Sequence, residues 1–192
     1  GEFSRKRRFA KAAAPLVRER TVTDFFAADV IEYLRADTTL DPELREAAVA
    51  KATTQGDLAP MLLNRGFESI WTPDGLVIDP DKRALGLRMI EAGVAQRPDS
   101  PMSYSFLGAG LLGVGKYAEA LEAGLRATQL AREFYEVELF TGLFLQAVAH
   151  HKLGDTEKAK AILAQAHAVP ENRFDRALGR NFVIKATQEF MK

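Results

Sequence analysis

The stretch from Pro101 to Pro170 repeats itself, and an internal repeat constrains a fold more tightly than any local propensity. Tyr104, Leu107, Gly108, Leu111, Gly115, Ala120 and Ala127 are answered by Leu143, Gln146, Ala147, His150, Gly154, Ala159 and Ala166, each 39 positions on. The small residues Gly108, Ala120, Ala147 and Ala159 suit two helices of a hairpin that approach closely, with Tyr104, Leu107, Leu111, Leu121 and Leu125 filling the space around them. Gly115 and Gly154 stand where the first helix of each hairpin ends, a position that wants a left-handed residue without a Cβ penalty. One hairpin leaves an apolar face uncovered and must stack on neighbours, so about three repeats are needed for stability.

The period continues towards the N-terminus. Gly86, Ile90, Gly93 and Pro98 fall 34 residues before Ala120, Gly124, Ala127 and Arg132. Leu58 to Trp71, with Leu62, Leu63, Phe67, Ile70 and Trp71, supplies the partner helix of this first, degenerate repeat. Thr72-Pro73-Asp74-Gly75 reads as a turn, fixed φ at proline and permissive φ at glycine, and Asp79-Pro80-Asp81 opens the second helix. Between the later repeats no breaker stands from Ala131 to Leu153, so longer helices are expected to absorb the five residues by which 39 exceeds 34. Phe174, Leu178, Phe182, Ala186 and Phe190 recur every fourth residue, the pattern of a one-sided helix closing the stack at 171–192.

Upstream, Asp41-Pro42-Glu43 is a cap, an N1 proline and a first-turn acid ahead of Leu44, Ala47, Ala48 and Ala52. Thr23 is expected to cap a helix from Asp24 through Leu34. Ser4 to Arg20 carries seven basic residues and is interrupted by Pro15. Its plain reading is a solvated linker or frayed first helix; its sharper one is an arm touching phosphates or a membrane surface. Gly1-Glu2-Phe3 reads as a cloning remnant, which implies an excised fragment.

The order of small and large residues resembles the tetratricopeptide repeat (TPR) pattern W-x2-L-G-x2-Y…A-x3-F…P. That resemblance implies an all-α fold, a TPR-like superhelix of antiparallel helical hairpins with a C-terminal capping helix. It divides the chain into the remnant and basic arm (1–20), N-terminal capping helices (21–56), repeats at 57–98, 101–131 and 133–170, and the cap (171–192). Leu34-Arg35-Ala36-Asp37-Thr38-Thr39-Leu40, the irregular Trp-bearing hairpin and Ala149-His150-His151-Lys152-Leu153-Gly154 together resemble the C-terminal TPR segments of large bacterial serine/threonine kinases and WD40 proteins. No kinase loop motif of its own is present.

The resemblance implies a protein or peptide partner in the concave groove, with self-association as a second expectation. In the repeat register the groove is lined by Met102, Ser105, Ala109, Leu112, Thr141, Phe144, Val148, His151 and Lys152. Set against this, the helix from Phe134 to Leu153 is apolar nearly all round, which equally fits burial between neighbours. Two rival functions stand beside recognition: a helical regulatory or catalytic domain whose active site is unrecognisable, and an anionic-surface module using the basic arm.

Chemistry-bearing patterns are weak. Gly108-Ala109-Gly110-Leu111-Leu112-Gly113 matches G-x-G-x-x-G, but the glycines sit inside the repeat rather than between a strand and a helix, so close helix packing is their expected role. Adjacent His150 and His151 point about 100° apart on a helix and do not converge on a metal. No catalytic residue, cofactor or metal site is expected. Twenty-six basic and 26 acidic side chains cancel, so no global field favours nucleic acid. The absence of cysteine suits a reducing, cytoplasmic setting. No apolar run reaches the roughly 18 residues of a membrane span.

Overall fold

In the computed structural model the described residues are 2–24, 26–56, 58–72 and 74–170. The helix expected at 171–192 lies outside them. Among the described residues the protein is all-α apart from one short ribbon, and the chain divides into two units, Gly1–Leu58 and Ala59–Lys192.

The first unit holds α1 (Glu2–Asp24), α2 (Ala27–Ala36) and α3 (Pro42–Gln55), with α3 packed on both others. Ala13, Val17, Val30, Leu34, Ala48 and Ala52 form its core. The basic segment is therefore a helix with a buried stripe rather than a solvated linker. Pro15 does not interrupt it; lacking an N–H, it only leaves the Lys11 carbonyl without its intrahelical donor. The Arg, Lys and Ala run carries α1 through Thr23 to Asp24, so Thr23 is not the cap expected for the next helix. Phe26 holds that position in an extended conformation, without a side-chain cap bond. Asp41 caps α3 as expected, accepting from the Glu43 amide at 2.9 Å and the Leu44 amide at 3.3 Å.

The second unit is a run of helices in which each packs on the next. They are α4 (Ala59–Ile70), α5 (Pro80–Gln96), α6 (Pro101–Gly113), α7 (Tyr117–Tyr135), α8 (Phe140–Lys152) and α9 (Thr156–Ala168). The first helices of successive pairs also touch, α4 on α6 and α6 on α8. Pairs are antiparallel: a methyl group on Gly93 would meet the Ala59 carbonyl, and one on Gly86 would come within 2.5 Å of the Gly66 carbonyl. Asp79 caps α5 as Asp41 caps α3, and Ser100 accepts from the Ser103 amide at the start of α6. Between α4 and α5 the chain makes a ribbon of β1 (Trp71–Thr72) and β2 (Gly75–Leu76), so Trp71 belongs to a strand and not to α4. Its indole N–H donates to the Ala109 carbonyl at 2.9 Å, tying the ribbon to α6.

The core of this unit runs continuously from Leu63 and Ile70 through Phe106, Leu111 and Ala120 to Phe140, Phe144, Val148 and Ala166. Fully buried side chains such as Leu62, Ile70, Met89, Ile90, Leu130 and Phe140 each contribute about 1.5–3 kcal/mol relative to exposure. The small residues Ala120, Ala147 and Ala159 are buried to 1% or less, at the interfaces where the repeat required close approach.

Candidate functional site

The two later hairpins turn in the same way. Gly115 has φ +80° and Gly154 φ +91°. The Lys116 amide donates to the Leu111 carbonyl and the Gly115 amide to the Leu112 carbonyl; 39 residues on, the Asp155 amide donates to the His150 carbonyl and the Gly154 amide to the His151 carbonyl. Both are Schellman closures, which satisfy the last carbonyls of the first helix and leave the second to start at once. This fixes α6 against α7 and α8 against α9 with equivalent geometry.

The helix between them does not run through as expected. α7 ends at Tyr135, Glu136 takes a left-handed conformation (φ 54°, ψ 32°), and α8 begins only at Phe140. The cause lies in tertiary contacts rather than in a glycine. Arg132 grips Glu138 at two points, 2.6 and 2.9 Å, the Val137 amide donates to the Ala131 carbonyl, and Leu139 is buried against Ala127 and Ala131. The bond to Glu138 is the main reason the Arg132 guanidinium is held above its ordinary range, with the opposite charge adding to it.

Beyond this corner α7 and α8 meet at a glycine pair. A methyl group on Gly124 would lie 3.1 Å from the Gly142 carbonyl, and one on Gly142 would lie 2.5 Å from Thr128 Oγ1. Thr128 Oγ1 donates to the Gly124 carbonyl at 2.9 Å, and Gln146 Nε2 donates to Thr128 Oγ1 at 2.9 Å and to the Gly124 carbonyl at 3.2 Å. Next to this network opens a cleft of about 700 Å³, walled by Leu125, Thr128, Gln129, Arg132 and Glu133 of α7 and Ile162 and Gln165 of α9, with Leu143 and Gln146 of α8 between them.

The groove positions read from the repeat lie elsewhere. Ser105, Leu112, Thr141, Phe144 and Val148 are buried, each 5% exposed or less, and Ser105 Oγ donates to the Pro101 carbonyl. Phe144 stacks on Phe140 at 5.4 Å. Ala109, Met102, His151 and Lys152 are half-buried. The burial of α8 nearly all round is thus the reading the structure realises for these side chains. The repeat register did carry a signal for the cleft: Gln146 occupies the position held by Leu107 one repeat earlier, a polar residue on an apolar site.

The glycines of the G-x-G-x-x-G string are inside α6, where neighbouring helices come closest; a methyl group on Gly110 would lie 2.9 Å from Ile90 Cδ1 and one on Gly108 2.9 Å from Leu145 Cδ1. His150 is buried, with Nδ1 3.3 Å from Asp155 Oδ2, while the His167 ring lies 6.3 Å from that of Phe140. No group of three or more His, Asp and Glu among the described residues is placed to hold a metal ion. No helix among them is long and apolar enough to cross a membrane. In class, then, this is an all-α protein whose larger unit is an array of helical hairpins. No protein-family model, curated protein or solved structure matches the chain.

Proposed function

We propose that this chain is a non-catalytic protein-recognition module built on a TPR-like array of hairpins. One observation carries the reading. The α6/α7 and α8/α9 hairpins repeat the same closure and the same small-residue interfaces 39 residues apart, and an open, mixed polar and apolar cleft lies along the seam between them. Arrays of this kind offer long surfaces lined by successive helices, suited to peptide segments rather than to compact substrates. The resemblance to kinase-attached and WD40-attached segments extends the proposal to a larger bacterial signalling protein that uses the module for recruitment. The test is a selection of displayed peptides tiling the source proteome on the immobilised chain. Enrichment of a peptide family by the folded chain, lost in urea, is the expected result; no enrichment over the unfolded chain contradicts the proposal.

A second reading is favoured by α1. Arg7, Lys11 and Arg18 are exposed and fall within about 40° of one another around the helix. This stripe suits an anionic surface. Binding to phospholipid vesicles or nucleic acid that weakens steeply with salt supports that use. Salt-independent binding or none contradicts it.

A further inference from the structure

The cleft between α7 and α9 has a chemistry of its own. Gln146 lines it while only 6% exposed. Its amide orientation is forced. Thr128 gives its hydroxyl proton to the Gly124 carbonyl, so both groups facing the Gln146 amide are acceptors and only the NH2 end can meet them. The side-chain bonds of Gln146 among the described residues all run through Nε2, so its carboxamide oxygen keeps its acceptor capacity. A fixed acceptor beside the cleft can take an N–H donor from a bound chain in place of water.

The surroundings narrow that donor further. Leu125, 52% exposed, with Leu143 and Ile162 forms an apolar wall, and the carboxamides of Gln129 and Gln165 each offer a donor and an acceptor on the rim. The two charges of the cleft are unequal. Arg132 is occupied by Glu138, whereas Glu133 has no ion-pair partner among the described residues. The cleft therefore presents one carboxylate outside any ion pair among the described residues, Glu133, beside an apolar wall and an amide acceptor.

We propose that this cleft takes an extended peptide in which an apolar side chain stands next to a lysine or arginine. The apolar residue seats on Leu125, Leu143 and Ile162, the basic residue faces Glu133, and a backbone N–H donates to Gln146 Oε1. The assignment rests on the recognition reading above and adds to it the face used and the chemistry of the partner.

The test uses the whole chain and three fluorescein-labelled octapeptide pools that share a central leucine preceded by lysine, glutamine or glutamate, with neutral residues randomised elsewhere. Anisotropy titrations are expected to rank lysine above glutamine above glutamate, with about tenfold between the extremes, the ratio given by 1.4 kcal/mol. Glu133→Lys, at an exposed position, is expected to reverse the ranking, and Leu125→Asp to weaken all pools, with circular dichroism confirming that both variants fold. A ranking unchanged in Glu133→Lys overturns the assignment of this cleft while leaving recognition elsewhere on the array intact. Failure of every pool to bind the native chain also overturns it, and the outcome of the displayed-peptide selection then decides the recognition reading separately.

Discussion

Gln146 and Thr128 are joined by a 2.9 Å hydrogen bond whose direction is dictated by the hydroxyl's own commitment to the Gly124 carbonyl. The bond links α7 to α8 beside the close approach of Gly124 and Gly142, so it acts on the seam between the second and third hairpins. Thr128→Val removes the hydroxyl and leaves a buried amide hydrogen short of an acceptor, which costs about 1–3 kcal/mol. Gln146→Leu in the same background is expected to recover part of the loss, because the unanswered amide disappears with it. Urea unfolding of both singles and the double measures this; strictly additive losses contradict the coupling.

Glu136 offers a stabilising change. It is the one non-glycine residue with positive φ among the described residues, in the left-handed region that a side chain with a Cβ adopts at a cost. Glu136→Gly is expected to raise stability by about 0.5–1 kcal/mol, the strain relieved less the added freedom of the unfolded chain. A fall in the unfolding midpoint places the corner in another conformation.

Ala159 is 1% exposed at the α8/α9 interface. Ala159→Leu forces that hairpin apart and is expected to destabilise by about 1–3 kcal/mol. An unchanged melting midpoint contradicts the packing of the third hairpin.

Asp37 tests local electrostatics in the smaller unit. The Thr39 hydroxyl, then the Thr39 amide, hold its carboxyl below the ordinary aspartate range against an opposing effect of burial, with the Leu40 amide and the Arg45 charge adding smaller contributions. A carboxylate whose pKa is lowered by folding contributes stability that is complete above its unfolded value and lost as pH falls through its folded one. Thr39→Val is expected to move the Asp37 titration back towards its ordinary value and to lessen the acid sensitivity of this unit. Carbon-detected NMR of the carboxyl resonance reads the shift; an unmoved titration assigns the effect elsewhere.

What could be read from the sequence was local. Asp41-Pro42-Glu43 and Asp79-Pro80-Asp81 announce α3 and α5 because a carboxylate cap and an N1 proline act within three residues. Gly115 and Gly154 mark the hairpin turns because few other residues accept that backbone. The corner at Glu136 had no such sign, since a pair six residues apart, Arg132 and Glu138, fixes it only once Leu139 is buried. The candidate site suffered from a related ambiguity. α8 is apolar around most of its circumference, so periodicity could not separate Thr141, Phe144 and Val148 from an open groove. Gln146 was visible as a polar residue at an apolar repeat position, but its fixed orientation depends on Thr128 and Gly124, which the chain brings to it across the α7/α8 corner.

The most direct measurement is amide chemical-shift mapping on the full chain titrated with a peptide from the displayed selection. Saturable shifts are expected to cluster on Leu125, Gln129, Glu133, Gln146, Ile162 and Gln165, with His151 and Lys152 little moved. Shifts centred on Ala109, His151 and Lys152 instead, or none at saturating peptide, contradict the assignment of the cleft.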